Sequence, residues 1–404
     1  MSKVKIQGNA SGTGVLTVTA PNTSTDRTIT LPDSTGTILD NTSTLDATKL
    51  SGDLPAISAA SLTNVPKDTT VGGRKNLIIN GNMDVWQRGT PIATMGFGAD
   101  RWKTYSTASG VANYNVTNTQ VADNPISAGG YSYSVAVDNA STSIDFITVT
   151  QLIEQANLTS INTGDSLTLS FWIKKTRDLD SNATFKVMAM TPASSKDTWS
   201  GVQYQSTDSL ASTPFSENYN SLSTSWVKKT ATFTVTANMV TRGLGLCFQI
   251  GESNVTSGAG STAEIYRFTG VQLEKGSTAT DFEYRSYGEE LALCQRYYER
   301  FIADASAEML IGVGVNASAT DVFINYPYKQ IKRVIPSFSS SGASHFERLT
   351  ASWGAGSSIN CQANIATARL NMGGFPSSTI WNATEVRITA AANDAHWFAF
   401  DAEL

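Results

Sequence analysis

The chain has 404 residues, 40% of them hydrophobic and only 16% charged, with a formal net charge of −5. Ser, Thr, Asn and Gly stand where charged residues usually would, a composition that suits strands and tight turns better than helices. An acidic chain without a run of Lys and Arg lacks the basic face that a phosphate backbone requires, which excludes nucleic acid as a partner. The densest basic stretch, Lys329, Lys332 and Arg333, reads as a solvated strand edge.

Cys247, Cys294 and Cys361 are odd in number and far apart, which argues against a disulfide framework or a zinc site. Their apolar neighbours suggest small core residues, reduced as in a protein assembled in cytoplasm. Residues 1–8 carry no apolar run of signal-peptide length. No stretch approaches the roughly 18 consecutive apolar residues that would cross a bilayer, so membrane insertion is not expected.

Residues 1–75 contain none of the 8 Trp, 13 Tyr and 16 Phe, the first of which is Trp86. Such a segment buries too little on its own to offset the entropy of ordering. Alternation at Leu16 and Val18, and again at Ile29 and Leu31, predicts short strands completed by other copies of the chain: a trimeric β stalk.

From residue 76 to 285 the pattern has period two. Tyr131, Tyr133, Val135 and Val137 alternate with small residues; Leu167, Leu169, Phe171 and Ile173 alternate with Thr168, Ser170 and Trp172; Ala231, Phe233 and Val235 alternate with threonines. Many such strands with no helical segment between them predict an antiparallel β-sandwich of jelly-roll type. Between residues 265 and 273 the apolar parity flips from Tyr266 and Phe268 to Val271 and Leu273, which predicts a bulge at Thr269 and Gly270. Residues 286–303 read as one junction helix, opened by a Ser286–Glu289 capping box and striped by Leu291, Cys294, Tyr298 and Phe301. Residues 304–404 return to short strands and Gly/Ser loops, a second, small β-sandwich.

Several of these segments resemble parts of bacteriophage tail fibre and tail-tip proteins. Residues 19–39 (TAPNTSTDRTITLPDSTGTIL) and 48–66 (TKLSGDLPAISAASLTNVP) are similar to their N-terminal stalks. Residues 76–90 (NLIINGNMDVWQRGT) with 99–102 (ADRW), and 270–276 (GVQLEKG) with 279–282 (ATDF), resemble the opening and closing of a tail domain related to carbohydrate-binding jelly rolls. The EELALCQRYYER run, and more weakly the terminal FDAEL, are similar as well. The resemblance implies a homotrimer in the virion tail, joined to other tail proteins through residues 1–75 and binding a host surface glycan. A purely architectural tail component and a glycan depolymerase are the alternatives. It also implies that Trp86, Arg88, Arg101 and Trp102 are scaffold. Asp84 and Glu274 are conceivable ligands of a structural calcium ion in such domains, although no spaced oxygen cluster supports one and no cofactor is expected.

For chemistry the chain offers little. His345 and His396 sit in no metal-ligand spacing, and neither a nucleophile elbow nor a phosphate loop is present. A glycan-cleaving site needs two carboxylates, and Asp208 and Glu217 lie in one loop region where they could meet, although any β protein of this size offers such pairs. The expectation is a protein that is not an enzyme. For binding, Trp199, Tyr204 and Tyr219 in the central domain, and Trp353 and Trp381 in the last, lie among short polar residues, where an aromatic face stacks on a sugar ring while its neighbours bond the hydroxyls.

Overall fold

The structure is a computed structural model. It describes residues 11–13, 24, 26, 74–92, 96–107, 115–126, 129–138, 143–179, 183–199, 210–256, 263–303, 307–350, 352–390 and 395–404. The expected stalk at residues 1–75 therefore falls almost wholly outside the described residues. The chain divides into two units, Met1–Val65 and Pro66–Leu404, and every strand described belongs to the second.

Eleven strands build the central domain: β1 Gly96–Phe97, β2 Lys103–Thr107, β3 Asn115–Val121, β4 Ser132–Asp138, β5 Ser143–Ile153, β6 Ser166–Lys175, β7 Thr184–Met190, β8 Leu210–Asn218, β9 Val227–Thr234, β10 Leu244–Thr256 and β11 Ala263–Lys275. They form two antiparallel sheets, β1-β2-β5-β10-β7-β8 and β3-β4-β11-β6-β9, face to face as the period-two pattern predicts. Leu167, Leu169, Phe171 and Ile173 of β6 all point inward, and Phe171 meets Phe248 of β10 edge-on at 5.1 Å. The bulge is where parity placed it. Thr269 pairs Trp172, the next pair is Gln272 with Ser170, and Gly270 takes φ +60° in the left-handed region that glycine tolerates.

Thr168 and Ser170, on the outward side of β6, are also buried. The segment after β11 folds back over that face. Thr168 donates to Gly276 O at 2.7 Å, Gln272 Nε2 to Asp281 O at 3.2 Å, and Tyr284 Oη to Ile126 O at 2.5 Å. Small polar side chains suit this position because the covering segment supplies backbone carbonyls for them to bond.

The junction helix is shorter than expected. Helix α1, Ala237–Arg242, is a single capped turn and a half; α2, Tyr287–Gln295, opens with the predicted Ser286–Glu289 capping box. Tyr297 N donates to Cys294 O, and the chain then becomes strand β12, Tyr298–Ile302. The run YERFI is rich in strand formers and pairs with the last strand of the chain, and that pairing outweighs the helical periodicity. Cys294, with Leu291 alongside, still packs as a stripe, against Ile79, Val85 and Tyr297.

The C-terminal domain continues with β13 Met309–Asn316, β14 Val322–Pro327, β15 Ser337–Ser340, β16 Phe346–Leu349, β17 Trp353–Ala355, β18 Ser358–Ala363, β19 Thr367–Gly373, β20 Ala383–Ile388 and β21 Trp397–Asp401. Sheets β12-β21-β15 and β17-β16-β20-β13-β14-β19-β18 enclose one core, in which Phe398 lies 5.0 Å from Phe301 and 5.2 Å from Tyr326. Lys332 corrects the reading of its segment as solvated. It is 1% exposed, with Nζ 2.7 Å from Glu299 Oε2, and Tyr326 Oη donates to the other oxygen of that carboxylate. Cys247 and Cys294 are buried and free, as expected of small core residues, and burial pushes the Cys247 thiol up to about 12.

Candidate functional site

Of the five aromatics expected to bind sugar, the four within the described residues are not brought together. Tyr219 is fully buried in the central core, where its hydroxyl donates to Ile265 O, so it has no face to offer; this corrects its assignment. A polar sequence context concealed it, because Asn218 and Asn220 form the turn that buries it. Trp199 is half-buried and packs against Met188, Met190 and Cys247 on the outer face of the six-stranded sheet. Tyr204 lies outside the described residues. Trp353 is half-buried, with the Arg387 guanidinium 3.9 Å above its ring, whereas Trp381 is 77% exposed. Of the carboxylate pair, Asp208 is outside the described residues, and Glu217 is 3.0 Å from Lys229 Nζ.

The motif residues Trp86, Arg88, Arg101 and Trp102 are scaffold, as the resemblance implies. Trp86 Nε1 donates to Met83 O at 2.8 Å and Trp102 Nε1 to Asn80 O at 3.0 Å. Both arginines clasp the chain's last residues. Arg101 binds Glu403 and lies 3.5 Å over the Tyr297 ring; Arg88 reaches Asp401 at 3.1 Å and Glu403 at 3.6 Å and lies 3.5 Å over Tyr298. The FDAEL terminus and the ADRW motif thus meet in one buried joint between the two sandwiches. The oxygens of Glu274, one of the conceivable calcium ligands, accept from Gln272 Nε2, Thr280 N and Thr280 Oγ1.

An open site lies elsewhere, on the outer face of the five-stranded sheet. Ile126, Ser170, Trp172, Lys228, Phe282 and Tyr284 line most of a groove of about 350 Å³, with Asp281 at its rim. That volume is in the range of small-ligand sites. Trp172 is an outward position of β6, Lys228 is its partner on β9, and Phe282 and Tyr284 come from the segment that folds back after β11. The bulge shapes the floor. A Cβ on Gly270 would lie 2.7 Å from Ile126 Cδ1 and 3.1 Å from Trp172 Cδ1, so only glycine lets these two close over the strand. Phe282 and Tyr284 meet edge-on at 5.1 Å, and Tyr284 is 55% exposed. Burial, then the charge of Asp84, raises the Tyr284 phenol, which stays a neutral hydrogen-bonding group.

A second indole stands on the same face. Trp226 Nε1 donates to Asp123 Oδ1 at 3.0 Å, and Lys174 Nζ sits 4.9 Å over its ring. Burial would raise the Asp123 carboxyl, but hydrogen bonds from Lys174, Trp226 and Arg267 hold it down at about 2, so it is a fixed anion that orients the indole. The face therefore carries two indoles, a phenol and short polar groups around a concave floor.

No family model matches the chain, and no curated protein matches it. Solved structures similar to it include the enzymatically active domain of tailspike protein 4 of bacteriophage CBA120, at 13% identity over 50% of this chain and 21% of that one, with a TM-score of 0.31. A Stig cyclase of Fischerella sp. TAU matches at 11% identity over 51% and 98%, TM-score 0.30. A family 11 carbohydrate-binding module of Clostridium thermocellum, solved with a mixed-linked β-1,3-1,4 tetrasaccharide, matches at 12% over 47% and 97%, TM-score 0.24. The chain spans about a fifth of the tailspike domain's length. An enzymatically active domain and cyclases stand among these neighbours, which corrects the expectation that the chain is not an enzyme.

Proposed function

We propose that the protein is a glycan-binding adhesion component of a phage tail, acting as a homotrimer attached to other tail proteins through residues 1–75. In this reading the groove floored by Gly270 and walled by Trp172, Phe282 and Tyr284 receives the sugar. The observation that carries it is the pairing of partly exposed aromatic rings with Lys228 and Asp281 in one concavity. A pyranose ring has an apolar face that stacks on such rings and a rim of hydroxyls that exchange hydrogen bonds with short polar groups. Modest affinity at each site, multiplied by three copies, suits adhesion to a repeating polysaccharide.

The test is titration of the full chain with host surface polysaccharide, beside the Trp172→Ala and Tyr284→Ala variants. Each variant should lose at least about tenfold in affinity, the scale of a binding hot spot, with an unchanged unfolding midpoint. Wild-type affinity in both variants would remove the groove from the reading. The same mixtures assayed for new reducing ends report whether the bound glycan is also cleaved.

A further inference from the structure

We propose that the turn around Trp381 in the C-terminal sandwich is a second glycan-binding site, separate from the central groove and selective for sugars without acidic groups. Five non-glycine residues among those described take a positive φ: Asn80, Met83, Arg101, Asp197 and Trp381. Asn80, Met83 and Arg101 are buried, and Asp197 accepts a bond from Gln155 N at 2.8 Å. Trp381 is the exception, with φ +66° and 77% of its surface exposed. A bulky residue persists in that conformation only where its surroundings impose it, and such strain gathers where ligands are held.

The surroundings do impose it. Trp381 N donates to Asn316 O at 2.8 Å, and Asn316 N donates to Asn382 O at 3.0 Å, which pins the turn to the end of β13. Asn316 Nδ2 donates to Ser378 Oγ at 3.1 Å and to Thr379 O at 3.0 Å. Asn316 Oδ1 accepts from Arg348 Nη1 at 3.1 Å, while Arg348 Nη2 reaches Ala319 O at 3.1 Å and also Pro376 O. Asn316 is 1% exposed and Arg348 is fully buried. Taking a cation out of water to bond loop oxygens is costly, and what this brace holds in place is a bare indole.

The groups beside the ring select the ligand. Ser377, Thr379 and Asn382 are exposed on the same turn. The segment then runs into β20, where Ala383 and Glu385 line a depression of about 350 Å³ with Val313, Leu349, Thr350 and Thr384. Ala383 follows Trp381 by two residues, at most about 7.6 Å between Cα atoms. A sugar ring stacked on the indole can therefore continue as a chain into the depression. Its hydroxyls would meet threonine oxygens and the Glu385 carboxylate there, and no Lys or Arg lines the depression among the described residues. A carboxylate without a neighbouring cation accepts from hydroxyls and repels an acidic sugar. The central groove, with Lys228 beside Asp281, has no such bias.

The two sites can fail separately. The experiment uses the full chain carrying Trp172→Ala, so that binding through the groove is removed, and titrates it with neutral host surface polysaccharide. Saturable binding should remain, and adding Trp381→Gly should weaken it at least tenfold while the unfolding midpoint stays at or above that of the parent. Trp381→Asn, which also tolerates the left-handed backbone, should give the same loss and repeats the test should glycine loosen the turn. With Glu385→Gln added instead, the preference for the neutral polymer over the same polymer oxidised to carry carboxylates should shrink at least fivefold. No binding left in Trp172→Ala, or binding that both Trp381 variants retain in full, overturns the proposal and leaves the groove standing. Wild-type binding in Trp172→Ala that Trp381→Gly then abolishes removes the groove and leaves this site.

Discussion

The joint around Arg101 and the groove around Trp172 draw on the same residue types and use them in opposite ways. In the joint the Arg101–Glu403 pair is sealed from water, with side chains 2% and 4% exposed, and both tyrosine rings are covered by guanidinium groups. In the groove the rings are left partly bare, and the fixed charges, such as Asp123 with Lys174 and Arg267, stand at the margin. Aromatic and charged residues together do not distinguish a binding site from a scaffold; what distinguishes them is whether the rings are already covered. The joint should therefore govern stability and the groove should not.

The largest expected effect follows directly. Glu403→Ala leaves the buried Arg101 guanidinium without its carboxylate, while Arg88 keeps Asp401 and Asp100, and breaking a buried pair in this way costs about 3–5 kcal/mol. Urea denaturation should show that loss while glycan affinity, measured where the variant is still folded, stays at the wild-type value. A loss below about 1 kcal/mol would put the joint in the class of surface ion pairs and erase the contrast.

Asp100 sharpens it through pH. Burial raises its carboxyl to about 6, against the pull of Arg88 and of hydrogen bonds from Gln87. A carboxyl raised above its unfolded value near 3.9 contributes stability that is fully present below that value and lost as pH rises through about 6, at most about 3 kcal/mol. Asp123, at the groove's margin, has the opposite sign: its contribution is present above the unfolded value and lost as pH falls through about 2. Between pH 4 and 7 the wild type should lose stability relative to Asp100→Asn. A difference between the two proteins that stays flat across that range would mean Asp100 keeps its ordinary pKa.

Much of the architecture was legible because a sandwich strand shows its register locally. The parity of Tyr266, Phe268, Val271 and Leu273 was enough to locate the bulge, and a capping box located the start of α2. The end of α2 was not legible, since Tyr298–Ile302 becomes a strand only because Trp397–Asp401 lies beside it, a partner about 100 residues away. The groove was hidden for a related reason. Alternation put Trp172 on the side of its strand opposite the apolar run but did not single it out, and Ile126, Lys228 and Tyr284 join it only through sheet pairing and a returning segment. Lys332 and Tyr219 misled in the same way, each being polar in its local sequence and buried by distant partners.

Tyr219 now belongs with the central core and not with the binding residues, and a smaller effect tests that. Tyr219→Phe removes the hydroxyl bond to Ile265 O, but that carbonyl also accepts from Thr176 N at 3.0 Å and is not orphaned. The expected cost is therefore about 1 kcal/mol, the ordinary net worth of one hydrogen bond. Glycan affinity should not change; a loss of affinity with intact stability would return Tyr219 to the binding residues.

Trp381 is the opposite case and carries the smallest expected effect. Its ring is 77% exposed, and its backbone sits at φ +66°, a left-handed conformation that costs a bulky residue roughly 1–2 kcal/mol. Trp381→Gly relieves that strain and gives back part of it as unfolded-chain entropy, about 0.5–1 kcal/mol. The bond from the residue 381 amide to Asn316 O, 2.8 Å long, is kept in either protein. The variant should thus be as stable as the wild type or up to about 1 kcal/mol more stable by thermal unfolding. An indole that strains its own backbone and packs on little adds nothing to the fold that the variant would lose. A marked destabilisation on replacing it would show that the ring packs after all and would return it to the scaffold.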